Sequence, residues 1–272
     1  CMVKAFAYGA GSVEVSKALQ QSNLVDYLAV AVADEGVELR KAGITLPIII
    51  MDPELAALDL IIENNLQPNI YSFQVLDNII RAAEAKGLES LPVHIKIDSG
   101  MHRLGFYRED MPKLIARLQT QKAVRVASVF SHLAGSDEAQ FDAFTHEQAD
   151  YFCNCANTLK SALNYPITKH LCNTAGIERF PEYHFDMCRL GIGLYGLSFA
   201  NATLRNVCTL KTTILSIKTV EANKTIGYGR HTTLSEPRMI AVIPIGYADG
   251  FDRRFSNYGG EVLVRGKRCP VV

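Results

Sequence analysis

The chain has 272 residues, 48% of them apolar and 21% charged, with 28 basic and 28 acidic residues in balance. That length allows one large domain or two smaller ones, and the balance, with no basic stripe or arm, argues against nucleic acid as a partner. No apolar run is long enough to span a bilayer and nothing reads as a signal peptide, while the seven cysteines fit neither a zinc spacing nor a disulfide framework and read as reduced thiols of a cytoplasmic protein.

The first segment, MVKAFA, reads as a strand that carries Lys4, with Tyr8, Gly9 and Gly11 just past its end. Burial at a strand end favours the neutral, nucleophilic form of a lysine, which is suited to a Schiff base with an aldehyde. The glycines let backbone amides approach an anion such as a phosphate. The plainer reading is a strand-end lysine reaching solvent. Further strand candidates follow in order: YLAVAV, PIIIMD, NIYSF, VHIKID, VRVASVFSH, TKHLCN and MCRLGIG. Between them lie helical patterns, VEVSKALQQS, DEGVELRKAG, PELAALDLIIENN, QVLDNIIRAAEAKG, REDMPKLIARLQTQ and a long one over 137–164, and then the short AGIERFP. Near-continuous apolar strands alternating with helices predict a parallel sheet. Eight such units predict an α/β fold, a closed (β/α)8 TIM-type barrel over 1–205. The helix after strand eight is missing, and a helix preceding Cys1 would fill that gap.

From residue 206 the texture changes. CTLKTTILSIKTVEA, MIAVIPIGYADG and EVLVRGKRCPVV alternate apolar and polar residues between glycine-rich turns, predicting an antiparallel β domain over 206–272. That domain reads as partial, since the chain stops at CPVV in mid-strand and opens on a cysteine.

Barrel active sites lie at the C-terminal ends of the strands, and there this sequence is rich in polar residues. Lys4 and Tyr8 end strand one; Lys96, Asp98 and Arg103 surround strand five. His132 ends strand six, Asn173 and Thr174 end strand seven, and Arg189, Gly191 and Ile192 belong to strand eight. Each has a plainer reading: His132 as a core histidine donating to a carbonyl, Asp98 as an ion-pair partner, Arg189 as structural, Asn173 as the cap of the helix that follows. Their shared location favours a site, because buried charges without a partner are costly.

The motifs MVKAFAYGAGS, HIKIDSGMHRLGF, FSHLAGSDE, NTAGIERFPEYHFDMCRLGIGLYG, GYGRHTTL and IPIGYADGFDRRFSNYGG, in this order over essentially the whole chain, closely resemble those of the alanine racemases. The resemblance implies a pyridoxal 5'-phosphate (PLP) enzyme of fold type III, truncated at both ends, that interconverts L- and D-alanine and supplies D-alanine for peptidoglycan. It implies that Lys4 holds the cofactor and acts as one acid/base. Tyr8, Thr174, Gly191 and Ile192 would bind the phosphate, Asn173 would stand beside them, and Arg189 would face the pyridine nitrogen. Arg103 would contact the phenolic oxygen, and Lys96 sits where many relatives carry a carbamylated lysine. His132 would pack near the ring and bond to Arg189. Tyr247 would be the second acid/base, acting in trans in a homodimer. No metal, membrane or nucleic acid is implied. Phe6 and Ala10 depart from the asparagine and histidine common in relatives. Broader specificity (serine, for example), a non-catalytic PLP-binding barrel, and a decarboxylase, which Arg189 disfavours, are the competing readings. Fusion behind a cell-wall ligase would account for an internal start.

Overall fold

Short aliphatic runs form six parallel strands, β1 Leu28–Val30, β2 Ile48–Ile50, β3 Gln67–Ile70, β4 Leu91–Lys96, β5 Val124–Phe130 and β6 Thr168–His170, hydrogen-bonded in sequence order. They belong to a computed structural model that describes residues 1–200, 203–256 and 259–272. Asn257 and Tyr258, within the last sequence motif, lie outside the described residues. Contacts divide the chain into two units, Cys1–Cys208 and Thr209–Val272.

In the first unit the curled sheet becomes a circuit through two short staves. Met2 bridges Ala29 of β1, Met187 bridges His170 of β6, and the Met2 amide donates to the Leu190 carbonyl at 2.9 Å. Eight staves therefore surround the interior, as the strand count predicts, but the first and last are far shorter than expected. The first ends at Val3. The expected eighth strand, MCRLGIG, gives one bridge and then a 3-10 turn at Ile192–Tyr195.

Successive strand residues face opposite sides. In β4 and just beyond it, Val93, Ile95 and Ile97 join Val129 of β5 in the outer core, packed against the surrounding helices. Helix Phe73–Ala85 presents Val75, Leu76, Ile79, Ile80 and Ala83 to that layer at helical spacing. Ser72 caps it, accepting from the Val75 amide at 3.3 Å. The alternate residues His94 and Lys96 of β4, with Ser128 and Phe130 of β5, face the other way and are buried.

Where MVKAFA reads as a strand, the chain after Lys4 instead makes one turn of left-handed helix. Ala5, Phe6, Ala7 and Tyr8 have φ of 52°, 56°, 52° and 55°. Each such L-residue costs about 1–2 kcal/mol against its right-handed form, so the surroundings must impose the turn. It reverses the chain at the stave's end and leaves Lys4 half-buried there.

The second unit is antiparallel: β7 Ser216–Val220, β8 Thr225–Ile226, β9 Thr232–Thr233, β10 Arg238–Val242, β11 Glu261–Val264 and β12 Lys267–Pro270 pair as β7 with β10, β8 with β9 and β11 with β12. The expected strand starting at Cys208 begins only at Ser216, because residues 208–214 have no pairing strand among the described residues.

After β4 the chain loops out and returns. Phe106 donates its amide to the Lys96 carbonyl at 2.9 Å and accepts from the Asp98 amide at 3.0 Å. Gly105 makes this return possible: its φ is +131°, and a Cβ there would stand 2.5 Å from the Asp98 nitrogen and 2.7 Å from the Ile97 carbonyl carbon. Gly105→Ala is expected to destabilise the first unit by about 2 kcal/mol or more, read as a lowered midpoint in thermal unfolding. An unchanged midpoint would show that the loop adapts.

Candidate active site

At the C-terminal ends of the staves lies a cavity of about 580 Å³. Ten of the eleven barrel residues singled out at the strand ends line it, Lys4, Tyr8, Lys96, Arg103, His132, Asn173, Thr174, Arg189, Gly191 and Ile192; Asp98 does not. Tyr247 belongs to the second unit, on a 3-10 turn at Tyr247–Asp249 where it is 71% exposed, and is not among the lining residues.

Arg189 is the most constrained of them. It is 7% exposed, and every partner it has is neutral. Its Nη1 donates to His170 Nδ1 at 3.0 Å and to the His170 carbonyl at 3.2 Å. Its Nη2 donates to the Leu171 carbonyl at 2.8 Å, to His132 Nδ1 at 3.3 Å and to the Ser131 carbonyl. Among the described residues its Nε has no partner. Burial pulls the guanidinium down to about 10, still well above neutrality, so it stays charged.

These bonds assign the tautomers behind it. His170 Nδ1 accepts, so its proton is on Nε2, which lies 2.8 Å from Ser128 Oγ. Ser128 then donates to His94 Nδ1 at 2.6 Å, and His94 Nε2 donates to Gln67 Oε1 at 2.9 Å. A register shift between Val93 and His94 sets His94 opposite Ser128. Burial, foremost, holds all three histidines neutral: His94 is pushed down to about 3 and His132 to about 2, and His170 lies well below its usual value. The Arg189 charge adds to the effect at His132 and His170.

Lys96 is also buried, with Nζ 5.4 Å from the Phe130 ring centroid. Burial first, then Arg189 and Arg103, pull its ammonium down to about 8, against the opposing pull of Asp98. Asp98 is no ion-pair partner by contact. Its Oδ1 accepts from the Gly100 and His102 amides at 3.0 Å and its Oδ2 from the Arg103 amide at 3.1 Å, so it shapes the loop that carries Arg103, an exposed side chain.

On the opposite wall Thr174 Oγ1 accepts from the Gly191 amide at 3.3 Å and the Gly193 amide at 3.1 Å, which leaves its hydroxyl proton to donate elsewhere. A Cβ on Gly193 would meet Thr174 Cγ2 at 2.6 Å, so no side chain fits there. Tyr8 packs on Tyr195 with ring centroids 4.8 Å apart. Asn173 takes its plainer role as well as lining the cavity: its Oδ1 accepts from the Gly176 amide at 2.9 Å and caps helix Thr174–Arg179.

The sequence reading missed His94, Ser128, His170 and Gly193. The period-two polar positions of VHIKID (His94, Lys96, Asp98) carried the signal for the first; the other three needed the register. The cavity's charge is one-sided: among the described residues Lys4, Lys96, Arg103 and Arg189 face it against Asp52 and Asp137, and Asp52 already accepts from the Tyr71 hydroxyl at 3.1 Å. Such a site suits an anionic ligand.

Residues 1–199 match the family model described as alanine racemase, N-terminal domain, and residues 207–272 that described as alanine racemase, C-terminal domain. Alanine racemase 1 of Oceanobacillus iheyensis is 36% identical over all of this chain and 73% of its own length. Alanine racemase 2 of Caldanaerobacter subterraneus is 38% identical over all of this chain and 71% of its own. The solved alanine racemase of Clostridium difficile superposes with a TM-score of 0.88 at 36% identity, covering 100% of this chain and 72% of that one.

The buried neutral histidines make stability depend on pH. Above about pH 6.5 folded and unfolded chains both leave them neutral and they contribute nothing. Below it only the unfolded chain takes up their protons, so stability falls as pH falls, until the folded-state values near 3 for His94 and 2 for His132 are reached. From pH 7 to 5.5, His94, His132 and His170 together are expected to cost roughly 3–4 kcal/mol. Urea unfolding at the two pH values measures this, and equal stabilities would refute neutral burial.

Proposed function

Because the chain belongs to the alanine racemase family, we propose that it interconverts L- and D-alanine using PLP. The observation that carries this reading is the convergence of ten residues from five strand ends on one cation-rich cavity.

The site fits the cofactor on three counts. Four cationic side chains suit its phosphate and phenolate. The Thr174 hydroxyl, with its oxygen committed to two amides, is poised to donate. Arg189 keeps its Nε without a partner while its other nitrogens are bound to neutral acceptors, which leaves a donor for a ring nitrogen. Tyr8, Thr174, Gly191 and Ile192 are the assigned phosphate ligands, Asn173 holds Thr174 at its helix start, and Arg103 is assigned to the phenolic oxygen. Lys4 Nζ is the assigned point of covalent attachment. Lys96, with its ammonium near 8, has a share of neutral amine at neutral pH. That form takes up carbon dioxide as a carbamate, which would place a negative charge between Arg103 and Arg189.

When bound, PLP accepts the electron pair left at Cα as its proton departs. The chain's own residues decide where protons sit. A guanidinium near 10 does not give a proton to a pyridine nitrogen, so Arg189 would donate a hydrogen bond there and leave that nitrogen unprotonated. His132, accepting from Arg189, cannot act as an acid at neutral pH. Racemisation needs a group on each face of Cα; the reading assigns Lys4 to one and Tyr247, acting in trans in a homodimer, to the other. The setting is the cytoplasm, with D-alanine supplied to peptidoglycan.

Mixing the chain with PLP is expected to give a visible absorption band that Lys4→Ala abolishes, and racemisation of either alanine enantiomer. Tyr247→Phe is expected to keep the band and to slow exchange of the Cα hydrogen of L-alanine with deuterated solvent by about 10²–10⁴-fold, far more than that of D-alanine. Equal losses of exchange from the two enantiomers would refute the two-face assignment. A band without racemisation would favour a binding barrel over an enzyme.

A further inference from the structure

The left-handed turn that presents Lys4 is bound by a carboxylate 30 residues further along the chain. The Ala5 amide donates to Glu35 Oε1 at 2.6 Å. Glu35 Oε2 accepts from the Ala31 amide at 2.6 Å and the Val32 amide at 3.4 Å. Ala31 directly follows β1 and lines the cavity. The remaining bonds of the turn are between backbone groups, such as Ala7 amide to Val3 carbonyl at 3.0 Å and Gly9 amide to Ala5 carbonyl at 3.2 Å. Among the described residues, Glu35 is the one side chain bonded to the backbone of residues 4–9.

Three features make this more than a helix-start contact. Glu35 occupies the third position of helix Ala33–Lys41, where a carboxylate ordinarily reaches back only to the capping residue, here Val32. Its second oxygen is instead spent on the residue next to Lys4. The turn it grips consists of L-residues in a region that only glycine enters freely, and Phe6 has neither the permissive backbone of glycine nor the local hydrogen bonding of asparagine to ease it. All three partners of Glu35 are N–H donors, so two acceptor oxygens are required. An amide in its place would satisfy one side and turn an N–H against the other.

We propose that Glu35 is a positioning residue for Lys4: its carboxylate ties the strained turn to the end of β1 and so fixes the lysine at the cavity wall. The proposal rests on the reading of Lys4 as the attachment point of PLP. It predicts that turn order and cofactor attachment are lost together when one acceptor is removed, and regained when the strain is relieved.

The test compares wild type, Glu35→Gln, Phe6→Asn, the double variant and Lys4→Ala. Hydrogen–deuterium exchange of residues 4–11 reports on the turn. Borohydride trapping of PLP, located on its peptide by mass spectrometry, reports on attachment without requiring turnover. Glu35→Gln is expected to speed exchange and weaken attachment, each by about tenfold or more, with far-ultraviolet circular dichroism unchanged. Phe6→Asn added to it should recover most of both, since asparagine tolerates positive φ; a general loss of stability would not be repaired at that position. If Glu35→Gln does not fold, Glu35→Asp, which keeps two acceptors on a shorter arm, enters the same comparison with smaller expected effects.

Unchanged exchange, faster exchange with unchanged attachment, or a double variant no better than the single would each overturn the proposal. Trapping in wild type no greater than in Lys4→Ala would refute the reading of Lys4, and the proposal with it; trapping on Lys4 in wild type keeps the two failures distinct.

Discussion

The first unit is organised around a buried positive charge that, among the described residues, no carboxylate touches. Arg189 is 7% exposed and surrounded by carbonyls and imidazoles. Removing a guanidinium from water without a counterion is costly, and a carboxylate would be the direct remedy. It would also cancel the field at the cavity floor. Neutral acceptors solvate the charge and leave the field in place, which is why Lys96 and His132 both feel it. A barrel interior is ordinarily filled by valine, isoleucine and leucine; here His94, Ser128 and His170 occupy that space because the arginine needs them.

The network behind Arg189 has a single direction. An arginine can only donate, so His170 must accept on Nδ1 and carry its proton on Nε2, and each later partner is fixed in turn as far as Gln67 in β3. Backbone register enters this chemistry directly. Without the shift at Val93/His94, Ser128 would not face His94, and two buried polar groups would lack partners at a cost of about 1–3 kcal/mol each. The same neutrality that serves the site makes the unit sensitive to acid, so the pH response and the cofactor site have one physical origin.

Much of this was legible in the sequence, for identifiable reasons. Eight staves follow from eight apolar runs separated by amphipathic helices, and the site from the polar residues that end those runs. Lys96 stood out because β4 alternates so cleanly. What was not legible is non-local. Nothing within KAFAY requires positive φ, since alanine and phenylalanine both favour the right-handed region, so a strand was the natural reading. The carboxylate bonded to that turn lies in another helix. The loss of the first and last strands to single bridges is likewise a property of closure. Asp98 looked like an ion-pair partner because spacing shows charge but not the amides that claim it. Tyr247 was found by motif alone, in a unit whose short antiparallel pairs are a property of the local sequence.

Two departures from local rules, a run of left-handed L-residues that ends in Tyr8 and a buried cation with only neutral partners, meet at the same cavity. A sequence that breaks its own preferences does so where function requires it and compensates elsewhere. Here the compensation is separated from the chemistry by the strand's two-residue period. Val93, Ile95, Ile97 and Val129 pack outward into the helices, while His94, Lys96, Ser128 and Phe130 face inward from the same strands. Outward residues supply the stability that inward residues spend, and adjacent positions in one strand answer to different constraints. Inward residues can therefore be exchanged to retune a barrel's chemistry without disturbing the outer layer that holds it closed.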